Sequence, residues 1–231
     1  MYGREYRDQV LNFEPSGALK QATLVMRDRE TDSWWSIMSG DAIGGNMKGQ
    51  KLRELAVGER TTWGKWKHKH PNTRVLSIDG KEHDPRNVYE GYFDSKRTFR
   101  NIDATDKRLA AKTPIYSFRI DQIPYAAPHA VLAGGAVFPV KGGVVFLHRQ
   151  KNADLFESTR AWYFAGARAG DFQHQGDTWI NRRSGAKFTP ALGWADENNK
   201  KDAAQPLSGF DTYWYSWANN NAHVVILGQT D

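Results

Sequence analysis

Asp28-Arg29-Glu30-Thr31-Asp32-Ser33-Trp34-Trp35 is the stretch on which the reading of the fold turns. About 153 residues later stands a counterpart, Asn181-Arg182-Arg183-Ser184-Gly185-Ala186-Lys187-Phe188, with an Arg, a hydroxyl, a small polar turn and a closing aromatic in common. Each octet reads as a turn feeding a strand, because short polar side chains that bond their own backbone precede aromatics that favour the pleated surface. Further on, Thr62-Trp63-Gly64-Lys65-Trp66 is matched about 151 residues later by Tyr213-Trp214-Tyr215-Ser216-Trp217. The two are followed by apolar segments, Arg74-Val75-Leu76 and Val224-Val225-Ile226-Leu227, which predict strands. Self-similarity at a fixed spacing is a stronger fold signal than local propensity. The pattern predicts an α+β protein, predominantly β, built from two diverged copies of a β-rich unit. Each copy carries a short Trp-x-x-Trp helix, and the two pack as one globular protein with a pseudo-twofold relation. The expected organisation is a first repeat with a Tyr-rich extension over 1–93, a bridging segment over 94–129, and a second, diverged repeat over 130–231.

Working outward, Trp63, Trp66 and His70 fall at i, i+3 and i+7, one face of a helix, with Lys65 and Lys69 away from it. Thr61 or Thr62 can cap its start and Pro71 stops it. A helix this short does not persist alone. The expected role of the Trp pair is therefore to staple the helix to the β layer, and a ligand platform is the alternative. Strands are predicted at Gln9-Val10-Leu11-Asn12-Phe13, Thr23-Leu24-Val25-Met26, Ile115 to Ile120, Ala136 to Val140 and Gly143 to Leu147. Gly40-Asp41-Ala42-Ile43-Gly44-Gly45 marks turns between short strands in the first copy. The corresponding Gly193-Trp194-Ala195-Asp196-Glu197-Asn198-Asn199-Lys200-Lys201-Asp202 reads as a polar loop. Asp84-Pro85-Arg86-Asn87 is an expected turn.

Composition narrows the chemistry. The chain has no Cys, which removes disulfides, thiolate nucleophiles and Cys-based metal sites. Nine Trp favour large packed layers, and also aromatic-lined ligand sites. The net charge of +6 is spread along the chain and serves solubility more than it names a partner. The densest basic stretch, Lys65-Trp66-Lys67-His68-Lys69-His70, is read first as a solvated helix face and second as a phosphate contact. His68 and His70, two apart on a helix, point in different directions and make a poor metal pair. Phosphate-loop, dinucleotide, zincin and serine-hydrolase motifs are missing from the sequence, and no cofactor is expected. No apolar run is long enough to span a membrane, and Met1 to Asp8 is charged where a signal peptide needs an apolar run.

The succession Asp28 to Ser36, Gly40 to Gly45, and Trp63-Gly64-Lys65-Trp66 with His70-Pro71-Asn72-Thr73 resembles the bacterial and archaeal domain-of-unknown-function family numbered 3179. Pro85-Arg86-Asn87-Val88-Tyr89-Glu90-Gly91-Tyr92-Phe93 resembles the family's Arg-x-x-Tyr-x-x-Tyr segment. The likeness is strong over residues 9 to 93 and weaker from about 130 onward. The family pattern implies a Cys-Pro-x-Cys segment ahead of Gln9, and often an export signal. The chain as given lacks both, so thiol chemistry is not carried over to it and its compartment stays open.

Asp28 and Arg29 stand beside Trp34 and Trp35 in a turn held by Thr31-Asp32-Ser33, either as a structural ion pair or as a pair that engages an anion. His83, Tyr89 and Tyr92 could bring hydroxyls or a proton shuttle to the same cleft. The expected function is a binding or structural module with an aromatic-lined cleft for a small polar or anionic ligand. Its expected ligand-binding residues are Asp28, Arg29, Trp35, His70, Tyr89 and Tyr92. The alternatives are an enzyme using acid–base groups among Asp28, His70, Tyr89 and Tyr92, and weak nucleic-acid association through the basic helix, which is disfavoured. An open-edged β protein can pair with itself, and the pattern leaves oligomeric state open.

Overall fold

The computed structural model describes residues 2–55, 60–75, 89–155, 157–190, 193–195 and 204–229. A short pair, β1 (Glu5–Tyr6) and β2 (Gln9–Val10), leads into an antiparallel meander of β3 (Phe13–Lys20), β4 (Thr23–Asp28), β5 (Trp34–Ser36) and β6 (Ala42–Gly44). Two short helices follow, α1 (Trp63–Lys69) and α2 (Glu90–Asp94). Then come two hairpins, β7 (Pro114–Ile120) with β8 (Ile123–Pro128) and β9 (Ala136–Val140) with β10 (Gly143–His148), and the strand β11 (Arg160–Ala165). A second meander holds β12 (Phe172–Gln175), β13 (Thr178–Asn181), β14 (Lys187–Thr189) and β15 (Gly193–Ala195). The last described elements are β16 (Gln205–Pro206), β17 (Gly209–Tyr213), α3 (Trp214–Asn220) and β18 (Val225–Ile226).

Two further four-stranded sheets form the centre, in the orders β17-β7-β8-β18 and β16-β11-β10-β9. The inner strands β7, β8, β10 and β11 carry apolar residues on both faces, and period-2 alternation sends each face to a different neighbour. Tyr116, Phe118 and Tyr125 of the first meet Val145, Leu147 and Ala161 of the second between the two sheets. Ile115 and Ala126, on the outer face of the first, pack under α3 with Trp214 and Trp217. Val144, Phe146 and Phe164, on the outer face of the second, pack against Phe172 and Phe188 of the second meander. The first meander keeps a separate small core of Leu11, Trp35, Ala42 and Leu52. The segment 94–129 contributes β7 and β8 to this centre.

The two octets quoted above both span β-hairpin turns. Asp28 at the end of β4 accepts from the Thr31 and Ser33 amides at 2.5 and 3.2 Å, while Asn181 at the end of β13 accepts from the Arg183 and Ser184 amides at 3.0 and 3.4 Å. Both are buried, as are Trp35 and Phe188 in the strands that follow. In the first meander Gly45 at φ +79 has a special duty. A Cβ there would lie 2.6 Å from the Ser33 backbone, so only Gly lets the end of β6 lie against the hairpin.

Elsewhere the structure departs from the sequence reading. The predicted strand Gln9 to Phe13 is broken, because Leu11 turns inward into the small core while Asn12 bonds the Glu30 carboxylate. Gly193-Trp194-Ala195 is strand β15 rather than loop, held by Trp194 packing onto Phe164 and Phe188. Arg74 and Val75 are not in a strand, and Leu76, like Asp84 to Asn87 and His83, lies outside the described residues. The largest departure concerns α1. Thr62 caps it as expected, but it buries none of its residues, and Trp63 is 49% exposed. It is not a staple. Lys65, Lys67, His68 and Lys69 leave it too little apolar surface to dock by burial.

Candidate functional site

The element that fails to bury its tryptophans forms one wall of a hollow of about 630 Å³. The opposite wall is the end of the β10–β11 ladder, where His148 and Arg160 sit in register. His148 continues the Val144, Phe146 face of β10, and its ring lies 4.9 Å from that of Phe188. Burial, aided by the neighbouring Arg160 charge, pushes its imidazole down to about 4, so it is neutral near pH 7. Arg160 donates to the Pro190 carbonyl at 2.6 Å, and its guanidinium lies over the Trp162 ring at 5.0 Å. Gly193 makes room for it, since a Cβ there would stand 2.9 Å from the Arg160 guanidinium.

The segment leading into α1 is tied to this wall by backbone bonds. The Ser158 amide donates to the Arg60 carbonyl at 2.9 Å, and the Arg60 amide donates to the Ser158 hydroxyl at 2.5 Å. Lys65 reaches across to the Glu157 carboxylate at 2.5 Å. Trp66 borders the hollow, its indole N–H donating to the Thr73 hydroxyl at 2.9 Å and its ring 4.2 Å from His70. Arg60, Lys65, Lys69 and Arg160 thus line one hollow, and Glu157 is the sole carboxylate among its described lining residues.

Beneath this surface lies a buried charge cluster centred on Asp211 of β17. Asp211 Oδ1 accepts from His129 Nε2 at 2.8 Å, the Thr159 hydroxyl at 2.6 Å and Arg149 Nη1 at 3.2 Å, while Oδ2 accepts from the Thr159 amide at 2.9 Å. Burial alone would raise its carboxyl, but these hydrogen bonds and the His129 charge outweigh it and hold it below the usual carboxylate range. Arg149 also donates to the Glu157 and Asp154 carbonyls at 2.6 and 2.8 Å, and burial lowers its pKa. Arg60 Nη2 donates to the Asp211 carbonyl at 2.9 Å. The cluster therefore positions both Arg60 and the Glu157 backbone from below.

A second hollow, of about 600 Å³, lies between the first meander and the β17–α3 corner. Its walls include Tyr2, Phe13, Met26, Trp35 and Phe210, and Arg4 is the one charged residue among those described. The two hollows differ in chemistry: one is ringed by cations, the other is apolar.

The residues expected from sequence are distributed over several regions. Asp28 and Trp35 meet, with the Trp35 indole N–H 2.7 Å from Asp28 Oδ2, inside the first meander. The Asp28 carboxyl is lowered, because hydrogen bonds led by Trp35 and Thr31 outweigh the opposing effect of burial. Arg29 points outward and pairs with Glu14 at 2.8 Å. His70 lies beside the cationic hollow, against Trp66. Tyr89 is 64% exposed at the start of α2, while the Tyr92 hydroxyl lies 3.0 Å from that of Tyr215 and Lys112 sits over its ring at 4.2 Å. Tyr92 therefore belongs to the α2–α3 contact.

Glu157, Arg160 and the His148-Arg149 pair were not anticipated. The available signal was a polar His-Arg pair directly after the apolar run Gly143 to Leu147, a position where a strand continues inward and the Arg149 charge needs a partner. Among the described residues, no group of three His, Asp or Glu comes together as a metal-ligand set. No helix there is long and apolar enough to cross a membrane.

No curated protein and no solved structure matches the chain. A family model described as "Protein of unknown function (DUF3179)" matches residues 1–223, and the chain belongs to that family.

Proposed function

We propose that the protein is a binding module whose site is the cationic hollow between α1 and the end of the β10–β11 ladder, and that its ligand is a small anion. The observation that carries this reading is the set of cations around one hollow: Arg60, Lys65, Lys69 and Arg160 line it, with Glu157 as the sole carboxylate among its described lining residues and the Trp66 ring at the edge. Like charges gathered on a concave wall repel one another and focus field on an anion. Guanidinium groups held by the Pro190 and Asp211 carbonyls are pre-oriented, so less side-chain freedom is lost on binding. A hollow of about 630 Å³ suits a small molecule, and Trp66 supplies a flat apolar surface beside the charges.

An acid–base enzyme has less support, because Asp28, His70, Tyr89 and Tyr92 do not share a concave site. Nucleic-acid association also has less support, because Lys65 of α1 turns to Glu157 instead of joining an outward basic stripe. The test is native mass spectrometry of the protein as purified, followed by calorimetric titration with benzoate, phthalate and inorganic phosphate at low and high salt. The expected result is a bound anion or a titratable one whose affinity falls as salt rises. The absence of both a retained molecule and binding heat with all three anions would overturn the proposal.

A further inference from the structure

We infer that Glu157 is an internal stand-in for the ligand, and that the anion the hollow takes is a carboxylate which displaces Glu157 from Lys65. The inference rests on the reading of this hollow as a binding site. The Glu157 side chain is only 12% exposed, yet its ion-pair partner comes from α1, a helix that buries nothing. The two ends of the pair are therefore held very differently.

Glu157's backbone is fixed without help from Lys65. Its amide donates to the Asp154 carbonyl at 2.9 Å, and its own carbonyl accepts from Arg149 at 2.6 Å. The carboxylate can swing off Lys65 while this loop stays intact. Lys65, on its flexible stem, can in turn follow a new partner. A carboxylate already seated on Lys65 defines a position that such a group fits, beside Trp66 and Pro190, which offer apolar surface for a flat group attached to it. The ligand class is thus a carboxylate joined to a planar apolar body, and an aromatic carboxylate is the simplest example.

Displacement has a measurable signature. While Glu157 holds Lys65, only a fraction of molecules is competent to bind, and the apparent affinity is reduced by that fraction. Glu157→Gln keeps the shape and removes the competing charge. If the pair were merely a latch holding α1 in place, the same substitution would loosen the wall and weaken binding. Lys65→Gln supplies the second arm, because without that cation the two carboxylates have nothing to compete for.

The experiment is calorimetric titration of benzoate, with acetate and inorganic phosphate as controls, into the full chain and into Glu157→Gln, Lys65→Gln and the double variant. Melting curves by circular dichroism check that each is folded. The expected result is benzoate bound about tenfold more tightly by Glu157→Gln than by the parent. Acetate and phosphate should bind more weakly, and the Glu157→Gln gain should vanish in the Lys65→Gln background. Benzoate binding to the parent that is unchanged or weaker in Glu157→Gln overturns the stand-in while leaving the anion site in place. Phosphate preferred over benzoate overturns the carboxylate assignment. No binding to either protein overturns the site itself. Should Glu157→Gln fail to fold, Glu157→Ala takes its place with the same expected direction.

Discussion

Two helices of this protein carry Trp at the same i, i+3 spacing and meet opposite fates. In α3, Trp214 and Trp217 are fully buried; in α1, Trp63 is half exposed and Trp66 edges a hollow. What separates them is the residues between and beside the rings. α3 places Tyr215, Ser216 and Ala218 around its pair, all buried with it, so Trp214 to Ala218 go inward, packed with Ile115 and Ala126 of the β17-β7-β8-β18 sheet and with Met38. α1 places Gly64, Lys65, Lys67, His68 and Lys69 around its pair. Each Trp buries roughly 200 Å² when enclosed, worth several kcal/mol at about 25 cal/mol per Å². Enclosing α1 would also strip water from several cations, at a cost that exceeds this gain. A shared motif set the spacing of the rings, and the charge around them decided which pair became core.

The comparison breaks most sharply through stability. Trp217→Ala should cost about 3–5 kcal/mol, whereas Trp63→Ala should change stability by less than about 0.5 kcal/mol. Urea unfolding of both variants checks this, and comparable losses would remove the distinction between the helices. Next in size is the cluster that fixes α1's lead-in from below. Asp211→Asn leaves Arg149 and His129 facing a neutral group in a buried site and should cost roughly 3 kcal/mol. Hydrogen exchange at the Ser158 amide, which bonds the Arg60 carbonyl, should accelerate in the same variant. Protection kept at Ser158 would show that the cluster does not hold this wall.

A smaller effect follows from His148. Its folded value of about 4 lies below the ordinary 6.5, so below 6.5 the unfolded chain binds more protons than the folded one. The stability it contributes is complete above pH 6.5 and is lost as pH falls through 4. His148→Asn should flatten the stability profile between pH 6.5 and 4 relative to the parent, as measured by melting temperature across that range. An unchanged slope would place the imidazole in water. Smallest of all is Thr62→Ala. It removes the Thr62 side-chain cap on the Lys65 amide and should weaken α1 by about 1 kcal/mol, with little change in global unfolding. A global loss as large as that of Trp217→Ala would mean that α1 belongs to the core after all.

Much of the fold was legible in sequence where a short-range rule decides it. The strands at Thr23 to Met26, Ile115 to Ile120, Ala136 to Val140 and Gly143 to Leu147 all form, because apolar runs between turn residues have few other uses. A threonine cap was also readable, as Thr61 or Thr62, and Thr62 supplies it. Leu11 was misjudged because its inward turn depends on a small core assembled from Trp35, Ala42 and Leu52, far along the chain. The cationic hollow was the least visible feature. Arg60, Glu157 and Arg160 are brought together by strand register and by one backbone pairing between residues 60 and 158, neither of which leaves a local pattern. His70, by contrast, was read on one helix face with Trp66, and its ring does lie 4.2 Å from that of Trp66.

The comparison between tryptophans also provides the most direct test of the site. In a two-dimensional spectrum of indole N–H resonances, assigned by single Trp→Phe variants, benzoate is titrated into the intact chain. The Trp66 resonance should shift with saturation, since its ring edges the cationic hollow, while Trp35, Trp214 and Trp217 stay in place. A shift confined to Trp35, which lines the apolar hollow, or no shift in any resonance, would contradict the account.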